Sequence, residues 1–323
     1  METRITQRWT GNLLAIHPKA PFSVTLEVHD FHQWSQLTMT NAETDELEID
    51  LFVETLRRRH GYDFSHYARA SLKRRVLALA SACGCTGVAD LIPRVVREAA
   101  LLPTVLSHLS VPVTEMFRDP VVFRAIRERI VPILDSYPRP NIWQAGCATG
   151  EEVYSLAILL QEEGLLHKTQ IYATDINDAA LAFAEEGVFS AKSIHEYADN
   201  YVKAGGKAAL SDYFHMKYEL GRIDEALRSR MVFAHHNLVS DGVFCEVQMV
   251  ICRNVLIYFD RKLQDRVLSL FLASLTRGGI LCVGTRENMS LAEAGHHFLA
   301  LDNELRLFKK MGEYDGRVLS SGK

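Results

Sequence analysis

Beyond Pro140 the chain alternates short apolar runs with longer segments of helical periodicity. The apolar runs read NIWQAG, QIYATD, MVFAHHN, QMVICRN, GILCVG and LRLFKK. Strands that alternate with helices in this way predict an α/β fold with a doubly wound, largely parallel sheet. Ligands of such sheets bind outside the carboxyl ends of the strands. The residues that follow each apolar run are therefore the first candidates for a functional site.

The chain before this region has a different pattern. Apolar residues recur at helical spacing in ELEIDLFVETLRRRHGY, ASLKRRVLALASACG and ADLIPRVVREAALLPTVLSHL, which predicts a small all-helical domain. A further helix is predicted from Arg118 to Leu134, with Asp119-Pro120 as its start signal. We thus expect an N-terminal arm of unknown role (residues 1–45), the helical domain (46–110) and a linker with one helix (111–140). The α/β domain (141–311) follows, with a small subdomain inserted into it (about 189–230), and a C-terminal tail (312–323) ends the chain.

Composition and charge narrow the class of protein. Hydrophobic residues make up 48% of the chain and charged residues 24%, which is typical of a globular protein. The net charge of -4 argues against nucleic acid as a partner. No signal peptide is visible, and the most apolar stretch, VQMVICRNVLIYF, is short and contains Arg253. We therefore expect a soluble cytoplasmic protein with no membrane insertion.

The cysteines and histidines do not form a metal-binding pattern. Only Cys83 and Cys85 lie close together among the six cysteines, and no second pair accompanies them. The histidine pairs His235-His236 and His296-His297 are sequence neighbours, whose side chains diverge on a strand or helix. The sequence predicts no metal.

The stretch IWQAGCATGEEVY joins an apolar run to a helix through a glycine-rich turn. Such turns usually hold a phosphate, but Glu151 and Glu152 stand where the phosphate would lie. Asp175 ends the next run, 25 residues after Gly150, where an acid typically accepts the hydroxyl groups of a ribose. S-adenosylmethionine has a ribose and two cationic groups and carries no phosphate, so it fits this pattern. The alternative is that the two glutamates only complement the helix dipole.

Three further positions carry candidate chemistry. Arg253 and Asn254 follow the apolar run QMVIC, and a guanidinium at the end of a buried strand requires a partner. Tyr258 lies four residues after Asn254 and is predicted to face the same crevice. Thr114 and Arg118 lie where the helical domain joins the sheet. Arg118 could also be only a charge at a helix start.

Five motifs, VTEMFRD, GCATGEEVYSLA, ATDIN, HNL and CRNVLIYFD, resemble in order and spacing the chemotaxis receptor methyltransferases of the CheR family. The resemblance covers about residues 46–311. It implies a Rossmann-like methyltransferase that transfers a methyl group from S-adenosylmethionine to glutamate side chains of bacterial chemoreceptors, leaving S-adenosylhomocysteine. It also implies that Arg118, Arg253 and Tyr258 are catalytic. The implied cofactor-binding residues are Thr114, Arg118, Gly146, Glu151, Asp175, Ile176, Asn237, Leu238, Arg253 and Asn254.

The chain departs from the family pattern at three places. Pro112 replaces an asparagine that some members have two residues before the threonine. Gln144 stands where methyltransferases usually have an acid at the end of the first strand, so Glu151 is predicted to bind the cofactor's amino group. The segment 214–237 is about four residues shorter than in members that bind a C-terminal receptor pentapeptide. We therefore expect methylation that does not depend on the pentapeptide.

The implied reaction needs no general base. A glutamate with a pKa near 4.3 is already a carboxylate at neutral pH. Arg118 or Arg253 is predicted to orient it, and Tyr258 to hold the sulfonium end by hydrogen bonding.

The partner implied by the resemblance is the cytoplasmic domain of methyl-accepting chemoreceptors. The acidic helices of that domain are complementary in charge to a segment of this chain, LRRRHGYDFSHYARASLKRRV, which has seven basic residues and one Asp. The docking residues predicted there are Arg69, Lys73, Arg74 and Arg75; a solvated helix surface is the alternative. We expect a monomer. Two other functions stay open: a methyltransferase with another substrate, and a non-catalytic sensor of S-adenosylmethionine.

Overall fold

The computed structural model describes residues 40–287 and 293–312. The predicted arm and tail lie almost entirely outside these residues. By internal contacts the chain divides into residues 1–47 and 48–323. Of the first unit, the structure describes the start of a helix, where the Glu43 carboxylate accepts a hydrogen bond of 2.7 Å from the Thr40 amide.

The helical domain contains four α-helices in the described chain: α1 (Asn41–His60), α2 (Arg69–Ala82), α3 (Val88–Arg97) and α4 (Leu102–Leu109). Helix α1 begins before residue 46, the predicted start of the domain. Its buried face is formed by Ile49, Phe52, Val53 and Leu56, whereas Leu51 is exposed. Burial of these apolar side chains against α2 and α4 supplies the main stabilisation of the domain.

The linker helix begins later than predicted. Helix α5 (Pro120–Ala125) continues through a π-helical turn at Ile126–Ile130 into α6 (Val131–Asp135). Asp119 has a φ angle of 55°, in the left-handed region, so the helix cannot include it. Proline has a φ angle suited to the first turn and lacks the amide hydrogen that would be unpaired there, which explains why the helix starts at Pro120.

In the α/β domain, strands and helices at first alternate strictly along the chain. Its elements are β1 (Asn141–Ala145), α7 (Glu151–Glu162), β2 (Gln170–Asp175), α8 (Asp178–Glu186), β3 (Val188–Ser190), α9 (Ala191–Lys203), β4 (Phe214–Lys217), β5 (Leu220–Ile223), α10 (Glu225–Arg228), β6 (Met231–His235), β7 (Val247–Cys252), α11 (Arg261–Ser274), β8 (Leu275–Val283), β9 (Phe298–Asp302) and β10 (Leu307–Lys310).

Seven of these strands form one sheet in the described part of the chain, in the order β6-β2-β1-β7-β8-β10-β9. The pairs from β6 to β8 are parallel, and β10 and β9 add an antiparallel edge. The prediction of a doubly wound, mostly parallel sheet is confirmed. Strand β9 was not predicted. The carboxyl ends of β1, β2, β6 and β7 meet at one edge of the sheet.

Apolar cores cover both faces of the sheet. Helix α7 is almost wholly buried on one face, where Tyr154, Leu156 and Ile158 pack among β1, β2 and α5. Helix α11 covers the other face, and Phe271 packs edge-on against Trp143 of β1 at 5.3 Å between ring centroids. The buried cores hold the strand ends in fixed positions, which a binding site at that edge requires.

The inserted subdomain is a three-stranded antiparallel sheet in the order β3-β5-β4, with α9 before the hairpin. Glu162 at the end of α7 anchors it. This carboxylate accepts hydrogen bonds from the Tyr213 hydroxyl at 2.8 Å and the Lys207 amide at 2.8 Å. Among the described residues, no helix is both long and apolar enough to cross a membrane.

Candidate functional site

An open cavity of about 960 Å³ lies at the carboxyl edge of the sheet. Its floor is the ends of β1, β2, β6 and β7, and its opposite wall is the helical domain and the linker that follows it. The structure brings together here nearly all the site residues predicted from the sequence: Thr114, Arg118, Gly146, Asp175, Ile176, Asn237, Leu238, Arg253, Asn254 and Tyr258.

The turn after β1 lines the cavity and requires glycine at position 146. Gly146 has a φ angle of +74°, and a Cβ atom there would lie 2.6 Å from Cγ2 of Val255. The amides of Gly146 and Cys147 both donate to the Thr174 carbonyl, at 2.8 and 2.9 Å, so the turn is tied to β2. Only glycine fits this conformation and this space.

Asp175 lies at the end of β2 with its carboxylate held by the backbone. Oδ2 accepts the Ala148 amide at 2.9 Å, and Oδ1 accepts the Asn177 amide at 2.9 Å. Each oxygen keeps a further lone pair, so the pair can accept two adjacent hydroxyl groups. Burial raises the pKa of Asp175 above its ordinary value, although the backbone hydrogen bonds act in the opposite direction.

This raised pKa predicts a pH dependence of nucleoside binding. Ribose hydroxyls donate to an ionised carboxylate, and protonation removes acceptor capacity. Affinity for S-adenosylhomocysteine should therefore fall as the pH is lowered through the pKa of Asp175, and the fall should begin at a higher pH than for an ordinary aspartate. Calorimetric titration at a series of pH values checks this. The Asp175→Asn variant should lose that dependence; a profile unchanged by the substitution would assign it to another group.

The two glutamates at the start of α7 have different surroundings. Glu151 is buried and accepts a hydrogen bond of 2.6 Å from the Thr149 hydroxyl, and burial raises its pKa. Glu152, on the other hand, lines the cavity and accepts a hydrogen bond of 2.7 Å from Nε2 of Gln144. The role of Glu151 in binding an amino group thus stays a prediction, and Glu152 joins the site.

Arg253 is buried at the end of β7 and paired with two carboxylates. Its Nη1 contacts Oε1 of Glu152, and its Nη2 lies 2.6 Å from Oδ2 of Asp119. Burial alone would lower the pKa of Arg253, but the two carboxylates outweigh it and raise the pKa. The guanidinium is therefore a charged part of the cavity wall.

Arg118 differs from Arg253 in its pairing. Its side chain is half-buried and lines the cavity. Within residues 40–287 and 293–312, its guanidinium has neither an ion-pair nor a hydrogen-bond partner. It can therefore offer its full donor set to an anionic ligand.

Tyr258 faces the cavity from the turn after β7, beneath a residue of the helical domain. The Arg75 guanidinium of α2 lies 4.2 Å from the centroid of its ring. Arg75 also donates to the carbonyl of Leu109, and burial lowers its pKa. A cation stacked on an aromatic face is stabilising, so the helical domain helps to fix the position of Tyr258.

Comparison with known proteins gives the family of this architecture. Residues 112–303 match the model of the CheR methyltransferase SAM-binding domain, and residues 47–110 match the CheR methyltransferase all-alpha domain. The chain belongs to the CheR methyltransferase family. Its larger domain is a methyltransferase domain that binds S-adenosylmethionine.

Relatives in several bacteria match three quarters or more of this CheR chain. The putative methyltransferase Cher3 of Pseudomonas putida is 44% identical over 84% of this chain and 100% of its own. The chemotaxis protein methyltransferase of Listeria monocytogenes is 27% identical over 78% of this chain and 94% of its own. Chemotaxis protein methyltransferase 1 of Pseudomonas aeruginosa is 27% identical over 75% of this chain and 90% of its own.

The residues predicted to dock the receptor do not form one surface of this CheR protein. Arg74 is exposed and Lys73 is half-buried on α2, while Arg69 pairs with Asp50 at 2.6 Å. Arg75 is only 9% exposed. Its place on α2 turns it toward the carbonyl of Leu109 and the ring of Tyr258, so Arg75 is not part of an exposed docking surface.

Several residues of this cavity were not predicted from the sequence. Three residues that had no role or another role in the sequence analysis lie in the cavity wall or contact a side chain there: Tyr67, Arg75 and Asp119. Glu287 was also missed; its buried carboxylate accepts the Leu256 amide at 2.7 Å and so holds the turn that carries Tyr258. A buried carboxylate near a strand end was the available signal, because it requires a donor partner.

Proposed function

We propose that this chain transfers a methyl group from S-adenosylmethionine to glutamate side chains of bacterial chemoreceptors and so forms glutamyl methyl esters. The single observation that carries the substrate class is the guanidinium of Arg118 in the cofactor cavity, a site for an anionic group, which has no ion-pair or hydrogen-bond partner among the residues that the structure describes. The relatives named chemotaxis protein methyltransferase support the choice of receptor.

The cavity residues fit S-adenosylmethionine in three respects. Gly146 lines the cavity with backbone atoms only, and Asp175 keeps free lone pairs for ribose hydroxyls. Glu152 adds a carboxylate to the wall beside its partner Arg253, and a carboxylate can accept hydrogen bonds from the cofactor's amino group. When bound, the cofactor supplies a methyl group on a positively charged sulfur.

The chain's own residues then align the reactants. In this proposal Arg118 binds and orients the substrate carboxylate, and Tyr258, which lines the same cavity, would hydrogen-bond at the sulfonium end. The glutamate oxygen bonds to the methyl carbon as the carbon–sulfur bond breaks, and the bonding pair stays on sulfur. Because the carboxylate is already ionised, no group of the protein needs to remove a proton. Alignment and exclusion of water supply the rate enhancement.

Receptor recognition is proposed to involve the exposed basic residues of α2 and to require no receptor pentapeptide.

Reversing the charge of Arg74 with Arg74→Glu should raise KM for receptor severalfold at low salt, because exposed charges steer acidic partners. Affinity for S-adenosylhomocysteine should stay unchanged. Added salt should reduce the difference from the original protein. Arg277→Glu, an exposed change in the methyltransferase domain, is the matched control. Equal KM values at low salt would favour a merely solvated surface.

Labelled cofactor distinguishes the proposed function from its rivals. Purified chain is incubated with methyl-labelled S-adenosylmethionine and, in parallel, receptor cytoplasmic domains, nucleic acid and protein-free extract. Label on receptor that is released as methanol by mild base is the expected result. Label on another substrate would support a different methyltransferase. Tight cofactor binding with no transfer to any fraction would support a non-catalytic sensor.

A further inference from the structure

The segment Met116–Asp119 holds Arg118 between two residues in unfavourable backbone conformations. Phe117 and Asp119 both have a φ angle of 55°, in the left-handed region. For residues other than glycine this conformation is unfavourable and persists only where surrounding contacts enforce it. Contacts with neighbouring residues must therefore hold the backbone on both sides of Arg118.

Arg253 provides the contacts on one side. Its Nη1 donates to the Arg118 carbonyl at 3.1 Å, and its Nη2 binds the Asp119 carboxylate at 2.6 Å. Glu152 contacts the same guanidinium and is itself fixed by Gln144 at 2.7 Å. The side chain of Arg253 is 1% exposed and that of Glu152 is 10% exposed, so their contact is shielded from water, whereas the Asp119 side chain is 36% exposed. Shielding strengthens the attraction between Arg253 and Glu152.

Contacts on the other side fix the start of the segment. The Phe117 amide donates to the Ser155 hydroxyl of α7 at 2.8 Å, and Nδ2 of Asn200 in α9 donates to the Met116 carbonyl at 3.3 Å. The backbone around Arg118 is thus held on both sides, and Arg118 itself lines the cavity.

We propose that Glu152, Arg253 and Asp119 form a clamp that positions Arg118, and that Arg253 acts through Arg118 rather than by contacting the substrate carboxylate. The two terminal nitrogens of Arg253 already bind two carboxylates and the Arg118 carbonyl. Its Nε has no hydrogen-bond partner in the described chain, but it is fully buried and so cannot reach a substrate carboxylate. A positioning role for Arg253 differs from the sequence-based prediction that this residue is catalytic. The clamp proposal rests on the proposed function in one respect, the identity of the group that Arg118 binds.

The kinetic test is a double-mutant cycle between the clamp and Arg118. Asp119→Asn removes the charge of the clamp but suits the same backbone conformation, because asparagine also tolerates the left-handed region. The cycle consists of the original protein, Asp119→Asn, Arg118→Ala and the double variant. Glu163→Gln, which weakens an ion pair of Arg127 far from the cavity, controls for the loss of a partly buried charge.

Asp119→Asn should lower kcat about 5- to 20-fold with little change in affinity for S-adenosylhomocysteine, because a neutral hydrogen bond is about half as strong as a charge-assisted one. In the Arg118→Ala background the same change should cost less than about twofold, since contacting residues are not additive. Glu163→Gln should leave kcat unchanged. An equal loss in both backgrounds would overturn the clamp.

A structural test separates the clamp from the identity of the substrate. Lysine offers one compact donor in place of the guanidinium fork, so Arg253→Lys cannot reproduce all three contacts. Crystal structures of the original protein and of Arg253→Lys should show Asp119 leaving the left-handed region and the Arg118 carbonyl displaced. A superimposable segment in the variant would refute the clamp, whichever substrate is methylated. Absence of methyl transfer by the original protein would instead refute only the proposed function.

Discussion

Replacing Arg118 with alanine is expected to lower kcat for methyl transfer about 100- to 1,000-fold, the usual cost of removing a preorganised charged donor. Its guanidinium faces the cofactor cavity with no ion-pair partner in the described chain. Affinity for S-adenosylhomocysteine should change much less, because the expected main role of Arg118 is to orient the substrate. Steady-state kinetics with receptor and calorimetry with the product measure the two effects separately.

The matched control for this prediction is Arg129→Ala. Arg129 is exposed and pairs with Asp302 at 2.9 Å outside the cavity, so its loss should leave kcat unchanged. Arg118→Lys should keep part of the activity, since a lysine retains the charge but not the fork of donors. Normal turnover by Arg118→Ala would show that another group orients the substrate.

Replacing Asp175 with alanine is expected to weaken S-adenosylhomocysteine binding about 10- to 150-fold, since a lost hydrogen bond to a charged group costs roughly 1.5–3 kcal/mol. The carboxylate lies at the end of β2, and both of its oxygens are oriented by backbone amides. The fold should be retained, because the change removes no apolar contact of the sheet. Calorimetric titration gives the affinity, and thermal unfolding gives the stability.

Asp178→Ala serves as the control for that experiment. Asp178 begins the next helix, and its carboxylate is exposed and pairs with His235 at 2.8 Å. Its removal should leave affinity for S-adenosylhomocysteine within about twofold, because exposed ion pairs contribute little. Unchanged affinity in Asp175→Ala would refute the assignment of the ribose site.

The sequence predicted the edge of the sheet at which the cavity lies, because residues after consecutive parallel strands must meet there. Asp175, Asn237 and Arg253 all follow apolar runs, and the structure gathers them in one cavity. This inference needs only the alternation of strands and helices. It does not need the direction of any single side chain.

Side-chain directions and contacts between domains were beyond the sequence. Glu151 and Glu152 are adjacent in the first turn of α7, and the rotation of that helix decides which one lines the cavity. Arg75 belonged to a basic run typical of an exposed surface, but its burial depends on how α2 packs against the turn of Tyr258. Local periodicity contains no information on such long-range contacts. The short strand β9 was missed because its pairing with β10 is visible only in three dimensions.

The most direct measurement is tandem mass spectrometry of receptor cytoplasmic domains after incubation with this chain and S-adenosylmethionine. We expect methyl esters on glutamate side chains that disappear after mild base, and none when Arg118→Ala replaces the original protein over the same short incubation. Methylation confined to other residue types, or glutamyl esters formed equally by the Arg118→Ala variant, would contradict the account.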